Sequence, residues 1–162
     1  MARAGTRRRE GATRYFEDFS TGETIELGSA TFSEPEIIAF ARQFDPQPFH
    51  TDPERAARSA FGGLVASGVH TLGAYTRLFV EQVLNHTPSM GSPGLEQIRW
   101  LKPVRAGDVL RARLVVLECR ASSSRPDRGI LRTRGELLDR DGEPVMTVES
   151  VNFVGRRPDG GR

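Results

Sequence analysis

A carboxylate and an imidazole stand five residues apart in the stretch Phe44-Asp45-Pro46-Gln47-Pro48-Phe49-His50. At that spacing neither an α-helix nor a β-strand points the two side chains at each other. A loop can, and this one is stiff. Pro46 and Pro48 have fixed φ. Asp45 and Gln47 each precede a proline, which pushes them out of the helical region into extended backbone. A rigid loop that converges an acid and a histidine suits general acid–base chemistry, where a side chain must lie within hydrogen-bond reach of the proton it moves. The plainer reading is that Asp45 closes a helix end and His50 bonds to loop backbone.

The flanking sequence supplies elements to hold such a pair. Ser33-Glu34-Pro35-Glu36 is a capping box with proline in the first turn. Ile37, Ile38, Phe40, Ala41 and Phe44 follow at helical spacing, so the helix ends at Phe44 and delivers Asp45 into the loop. Thr51-Asp52-Pro53-Glu54 marks a second, short helix start. After the small-residue run Ala60 to Gly68, the residues Val69, Leu72, Thr76, Phe79, Val80, Val83 and Leu84 predict a long helix over 68–85, about 27 Å in length, with Ser67 as N-cap. So apolar a helix is expected to be buried over much of its surface. The second half reads as strands at 95–101, 109–118, 129–138 and 143–154, with a hairpin turn at Asp139-Arg140-Asp141-Gly142. An early strand at 24–30 completes an α+β layout, a sheet able to wrap one long helix.

The 162 residues, 37% hydrophobic and 27% charged, suit one soluble domain with a real core. Arginines cluster at both ends among glycines. Residues 1–14 and 155–162 are therefore expected as disordered tails around a domain at 15–154. The net charge is only +2, and no basic stripe is interleaved with aromatics, so no nucleic-acid partner is expected. Cys119, the single cysteine, excludes an internal disulfide, fits a reducing cytoplasm and reads as a packed thiol. No apolar run reaches membrane-spanning length, and no apolar stretch follows the leading arginines as a secretory signal would require. His50, His70 and His86 lack ligand spacing, so no metal is expected. His70, two residues into the long helix, reads as packing or support for the site.

The Asp45-Pro46-Gln47-Pro48-Phe49-His50 loop resembles the mark of the MaoC-like dehydratase family, which includes the (R)-specific enoyl-CoA hydratases. That mark is an Asp, an Asn-Pro step and a His after a helix. The block Phe61 to Gly68 matches a family segment that ends in His-Gly at the start of the central helix. Lys102 to Asp108 matches a link of the type Lys-Pro-Val-x-x-Gly-Asp. The similarity runs in order over residues 15–154, more than a lone motif. Gln47 stands where Asn is usual, and Ser67 where His is usual.

The resemblance implies a single hotdog fold, an antiparallel sheet around one long helix, and a homodimer or larger oligomer. It implies water addition to, or removal from, an acyl thioester on CoA or acyl-carrier protein, with no cofactor. Asp45 and His50 would hold the water and share the acid–base work, and the backbone N–H of Gly68 would meet the thioester oxygen. A glycine there would let substrate approach closely. Gln47 and Ser67 are expected to bind substrate. Arg99, Lys102 and Arg105 could meet CoA phosphates or simply be solvated. The competing activities are a hotdog thioesterase and a non-catalytic acyl-thioester-binding subunit.

Overall fold

The alternating half of the chain folds into one antiparallel sheet, and the helical half lies across it. The computed structural model describes residues 13–158. In chain order the elements are β1 (Thr24–Thr31), α1 (Glu34–Phe44), α2 (Pro48–Thr51), α3 (Pro53–Ala57), α4 (Gly68–Gln82), β2 (Gly94–Trp100), β3 (Val109–Ala121), β4 (Arg128–Leu138) and β5 (Pro144–Gly155). The strands are ordered β1-β3-β4-β5-β2, every pair antiparallel. The α+β layout is as expected, and each expected strand forms to within a few residues. In β3 the basic and apolar alternation becomes alternating burial: Leu110, Ala112, Leu114 and Val116 face the core, while Arg111 faces out.

The long helix departs from expectation in two ways. It ends at Gln82, which makes it about 22 Å long. Val83 leaves helical geometry (φ −127°, ψ −61°), and Leu84–His86 form a 3-10 turn. Its burial is one-sided. Thr71, Tyr75, Leu78 and Phe79 face the sheet, while Val69, Gly73, Thr76 and Arg77 are exposed. The sheet accepts Thr71 and Tyr75 and leaves Val69 out, so the apolar set does not by itself mark the buried face. The Tyr75 ring lies against Gly135 of β4, where a Cβ would collide with it.

Local signals set the ends of the helices that carry the site. Ser33 and Glu36 form the capping box at α1, with the Ser33 Oγ to Glu36 Oε2 bond at 2.6 Å. Asp52 caps α3, accepting from the N–H groups of Glu54 and Arg55. Ser67 caps α4, accepting from Val69 N–H at 3.2 Å. The β4–β5 turn uses Gly142 at φ +82°, with Asp139 accepting from two backbone N–H groups.

Parts of the expected tails are held in place. Arg14 pairs with Glu23 and stacks over Phe19. Gly155 belongs to β5. Arg156 donates to Glu17 at 2.9 Å, and Arg157 to Asp18 at 2.7 Å. Acidic residues in the turn Phe16–Asp18 thus bind the arginines that composition alone suggested were free. Residues 1–12 and 159–162 lie outside the described residues.

Candidate active site

The end of α1, the turn α2 and the start of α4 meet at one cavity of about 460 Å³. Asp45 is the C-cap of α1 in non-helical backbone (φ −152°, ψ 71°) and Gln47 is extended (φ −74°, ψ 142°), as their prolines dictate. His50 lies in the short helical turn α2, opened by Pro48 at its first position, rather than in irregular loop. That turn brings the ring back toward Asp45. His50 Nε2 stands 3.3 Å from Asp45 Oδ2.

The remaining nitrogen of His50 is committed. Nδ1 lies 2.7 Å from the carbonyl oxygen of Val65. A carbonyl can only accept, so Nδ1 carries the proton and the neutral ring presents a bare lone pair at Nε2. The ring is buried and packs edge-on against Phe49 at 4.5 Å. Asp45 is fixed at both oxygens. Gln47 Nε2 donates to Oδ1 at 2.8 Å, and Ser67 Oγ donates to Oδ2 at 2.7 Å. Burial works to raise the Asp45 pKa, but these two hydrogen bonds, with the pull of His50 in its charged form, outweigh it and hold the carboxyl below its ordinary 3.8. The result is an ionised acid and a one-faced imidazole, close together at a cavity wall.

Gly68 opens α4 at the same wall. At the first helical position its N–H has no intrahelical partner, and among the described residues no acceptor takes it. The positive end of the helix dipole lies here. The side where a Cβ would stand is filled by protein: a Cβ on Gly68 would come within 2.5 Å of the Trp100 indole. Trp100 Nε1 and the Thr71 hydroxyl both donate to the Gly68 carbonyl, at 3.0 and 2.8 Å. Glycine is therefore required by the indole packed on it, a reason the sequence reading lacked.

Asp45, Gln47, His50, Ser67 and Gly68 all line the cavity. Gln47 and Ser67, expected to bind substrate, each donate to Asp45 from the cavity wall. Ser67 does so while capping α4, so one hydroxyl ties the helix start to the carboxylate. Lys102 also lines the cavity, but its ammonium pairs with Asp139 at 2.7 Å. Arg105 lies outside the lining and donates to the Phe61 carbonyl at 2.6 Å. Arg99 is exposed on β2. Trp100, Phe49, Phe61 and Val65 complete the wall. Of these, Trp100 had a visible signal, an aromatic closing a predicted strand beside the Lys102 link. The others carried none beyond their hydrophobicity.

Residues 18–132 match the family described as the MaoC like domain. The chain belongs to this family. A MaoC-like dehydratase from Rhodospirillum rubrum superposes with a TM-score of 0.82 at 38% identity, covering 90% of this chain and 99% of that one. A 3-hydroxybutyryl-CoA dehydratase of Methylorubrum extorquens is 28% identical over 153 residues, which cover 91% of this chain and 94% of that protein. A Mycobacterium tuberculosis protein with a double hotdog fold superposes at a TM-score of 0.76 and 19% identity, over 93% of this chain and 46% of that one, a likeness of fold. The MaoC-like sheet around α4 is thus a single hotdog. Among its described residues no three metal-ligating side chains cluster, and no helix is long and apolar enough to cross a membrane.

Proposed function

We propose that this MaoC-like chain adds water to an α,β-unsaturated acyl thioester, or removes it from the 3-hydroxyacyl thioester, with Asp45 and His50 as its acid–base pair. The observation that carries the reading is the 3.3 Å approach of two proton acceptors, Asp45 Oδ2 and the bare Nε2 of His50, at a cavity wall shared with the Gly68 N–H. Two acceptors at that distance do not bond to each other, but they can hold a water by its hydrogens. In hydration the water oxygen bonds to Cβ as one of its protons passes to the pair. Electrons move onto the thioester oxygen, which accepts from Gly68 N–H at the helix start. The enolate collapses and Cα takes the proton from the pair. Dehydration retraces these steps, and the pair ends each cycle as it began. Family membership and the dehydratase names of the relatives support the reading.

The site further fits a homodimer. The sheet order leaves one side of β2 unpaired within the chain. Leu95, Trp100 and Leu101 along and beside that edge, and Val69 on the adjoining face of α4, are each about half exposed. An open, apolar strand edge calls for cover, and a second copy related by a two-fold axis supplies it isologously.

The test of function is loss of the crotonyl-CoA enoyl absorbance beside a free-thiol assay, for the parent chain and for Asp45→Asn and His50→Ala. The expected result is enoyl loss without thiol release, lowered about 10²–10⁴-fold or more in each folded variant. Thiol release would make the chain a thioesterase. Silence across a panel of longer and branched enoyl thioesters, on CoA and on acyl-carrier protein, would leave a binding subunit.

A further inference from the structure

Of the described side chains, only His70 has a fully buried nitrogen or oxygen without a hydrogen-bond partner, its Nδ1. Buried polar atoms are normally paired. The ring is held by carbon instead. It stacks on Phe40 of α1, centroids 4.6 Å apart and planes within 9°, and meets Phe32 edge-on at 5.2 Å. Phe40 in turn packs on Phe44 at 4.9 Å, and Phe44 directly precedes Asp45. His70 lies three residues beyond Ser67, whose hydroxyl holds the Asp45 carboxylate. The first turn of α4 therefore grips the last turn of α1 twice, once at the carboxylate and once at the aromatic ring above it.

We infer that His70 is a positioning residue, its neutral ring wedged between Phe40 and Phe32 so as to set how the end of α1 presents Asp45 to the cavity. This rests on Asp45 being the acid–base group of the proposed reaction. With no acceptor at Nδ1, the neutral ring keeps its proton on Nε2. A second proton would have to enter at the buried Nδ1, near the positive end of α4. Glu36 on α1 is the charged group that faces the ring; Phe32 and Phe40 present only hydrocarbon. Burial lowers the His70 pKa below its ordinary 6.5, against the pull of Glu36. The grip is therefore complete above about pH 6.5 and is lost as the pH falls through the lowered folded pKa.

Two variants test this. His70→Phe keeps a flat ring that cannot titrate, and His70→Ala removes the wedge. The readouts are the NMR titration of the Asp45 carboxyl carbon and, on crotonyl-CoA, kcat and KM from about pH 5 to 8. In His70→Ala, Asp45 is expected to titrate closer to its ordinary value, as its hydrogen bonds loosen. Its kcat should fall roughly 10–100-fold, with KM within about threefold. In His70→Phe the Asp45 titration and the neutral-pH turnover should hold, and the acid side of the kcat profile should become shallower. If His70→Ala does not fold, Phe40→Leu opens the same stack from α1 and should reproduce the Asp45 change. A folded His70→Ala with unchanged Asp45 titration and kcat overturns the inference. So does an equal Asp45 shift in the Ala and Phe variants. A parent chain that does not turn over any enoyl thioester defeats the hydratase reading alone, and the carboxyl titration still decides the role of His70.

Discussion

Ser67→Ala removes two bonds with one atom, and its cost should depend on pH. The Ser67 hydroxyl accepts from Val69 N–H as the α4 cap and donates to Asp45 Oδ2 at 2.7 Å. Loss of a serine cap costs about 1 kcal/mol. Loss of a hydrogen bond to a charged group costs about 1.5–3 kcal/mol. The Asp45 side chain is 22% exposed, so water can replace part of the second bond, and the lower end applies. The expected destabilisation near neutral pH is then about 2–3 kcal/mol, read from urea unfolding. The sign of the pH dependence follows from Asp45. Its folded pKa lies below 3.8, so ionised Asp45 stabilises the fold above that value and the contribution is lost as pH falls through the folded pKa. The gap between parent and Ser67→Ala should therefore narrow toward about 1 kcal/mol, the cap alone, as pH falls through the folded pKa of Asp45. A double-mutant cycle with Asp45→Asn should give a coupling of about 1.5 kcal/mol at pH 7. A gap that stays constant with pH, or a coupling near zero, would refute the claim that this serine holds the ionised carboxylate.

Gly68→Ala should destabilise the fold by about 1–3 kcal/mol, because its Cβ must displace the Trp100 indole, and Gly68→Ala with Trp100→Leu should recover part of that loss in the same unfolding assay. Lysine at Leu95 or Val69 should shift the sedimentation velocity profile from dimer to monomer, since both positions lie on the proposed β2–α4 contact. Hydration of crotonyl-CoA in D₂O should place deuterium at Cα on the same face as the new hydroxyl, because both acid–base groups occupy one wall of the cavity. Coupling constants of the product decide this, and anti addition would contradict a single dyad.

Most of the scaffold was legible because its signals are local. The Ser33 capping box, the Asp139–Gly142 turn and the alternation in β3 each depend on neighbours in sequence, and each forms as read. The Asp45–His50 approach was legible for the same reason: prolines fix the backbone on either side of Gln47. What could not be read depends on contacts between distant segments. Nothing near Gly68 in sequence announces Trp100, 32 residues away, as the ring that requires a glycine there. Gln47 and Ser67 are polar and lie at the site, but nothing beside them in sequence ties them to the carboxylate. Only the fold shows that their donors face Asp45, in the case of Ser67 across 22 residues of chain. The one-sided burial of α4 was hidden for the same reason, since Val69 looks like core until the sheet is seen to wrap the opposite side.

The bond from His50 Nδ1 to the Val65 carbonyl governs how the site handles protons. With that nitrogen committed, His50 offers one site, Nε2, and Asp45 offers a carboxylate whose acidity Gln47 and Ser67 strengthen. An Asp45 held below its ordinary pKa is a weaker base than a free carboxylate. In the proposed reaction Asp45 would orient the water and stabilise an imidazolium, with Nε2 the better resting place for a proton in transit. The two groups are close enough that the proton belongs to the pair. Hydration lifts a proton from water and gives it to Cα, whereas dehydration lifts it from Cα and gives it to the departing hydroxyl. Both begin and end with the pair unprotonated. The net reaction exchanges no proton with solvent, so the ratio of kcat/KM in the two directions is fixed at every pH. For the proposed reaction, one bare nitrogen beside one held carboxylate is then sufficient for both directions, and metabolite levels rather than the protonation state of the site would decide its direction.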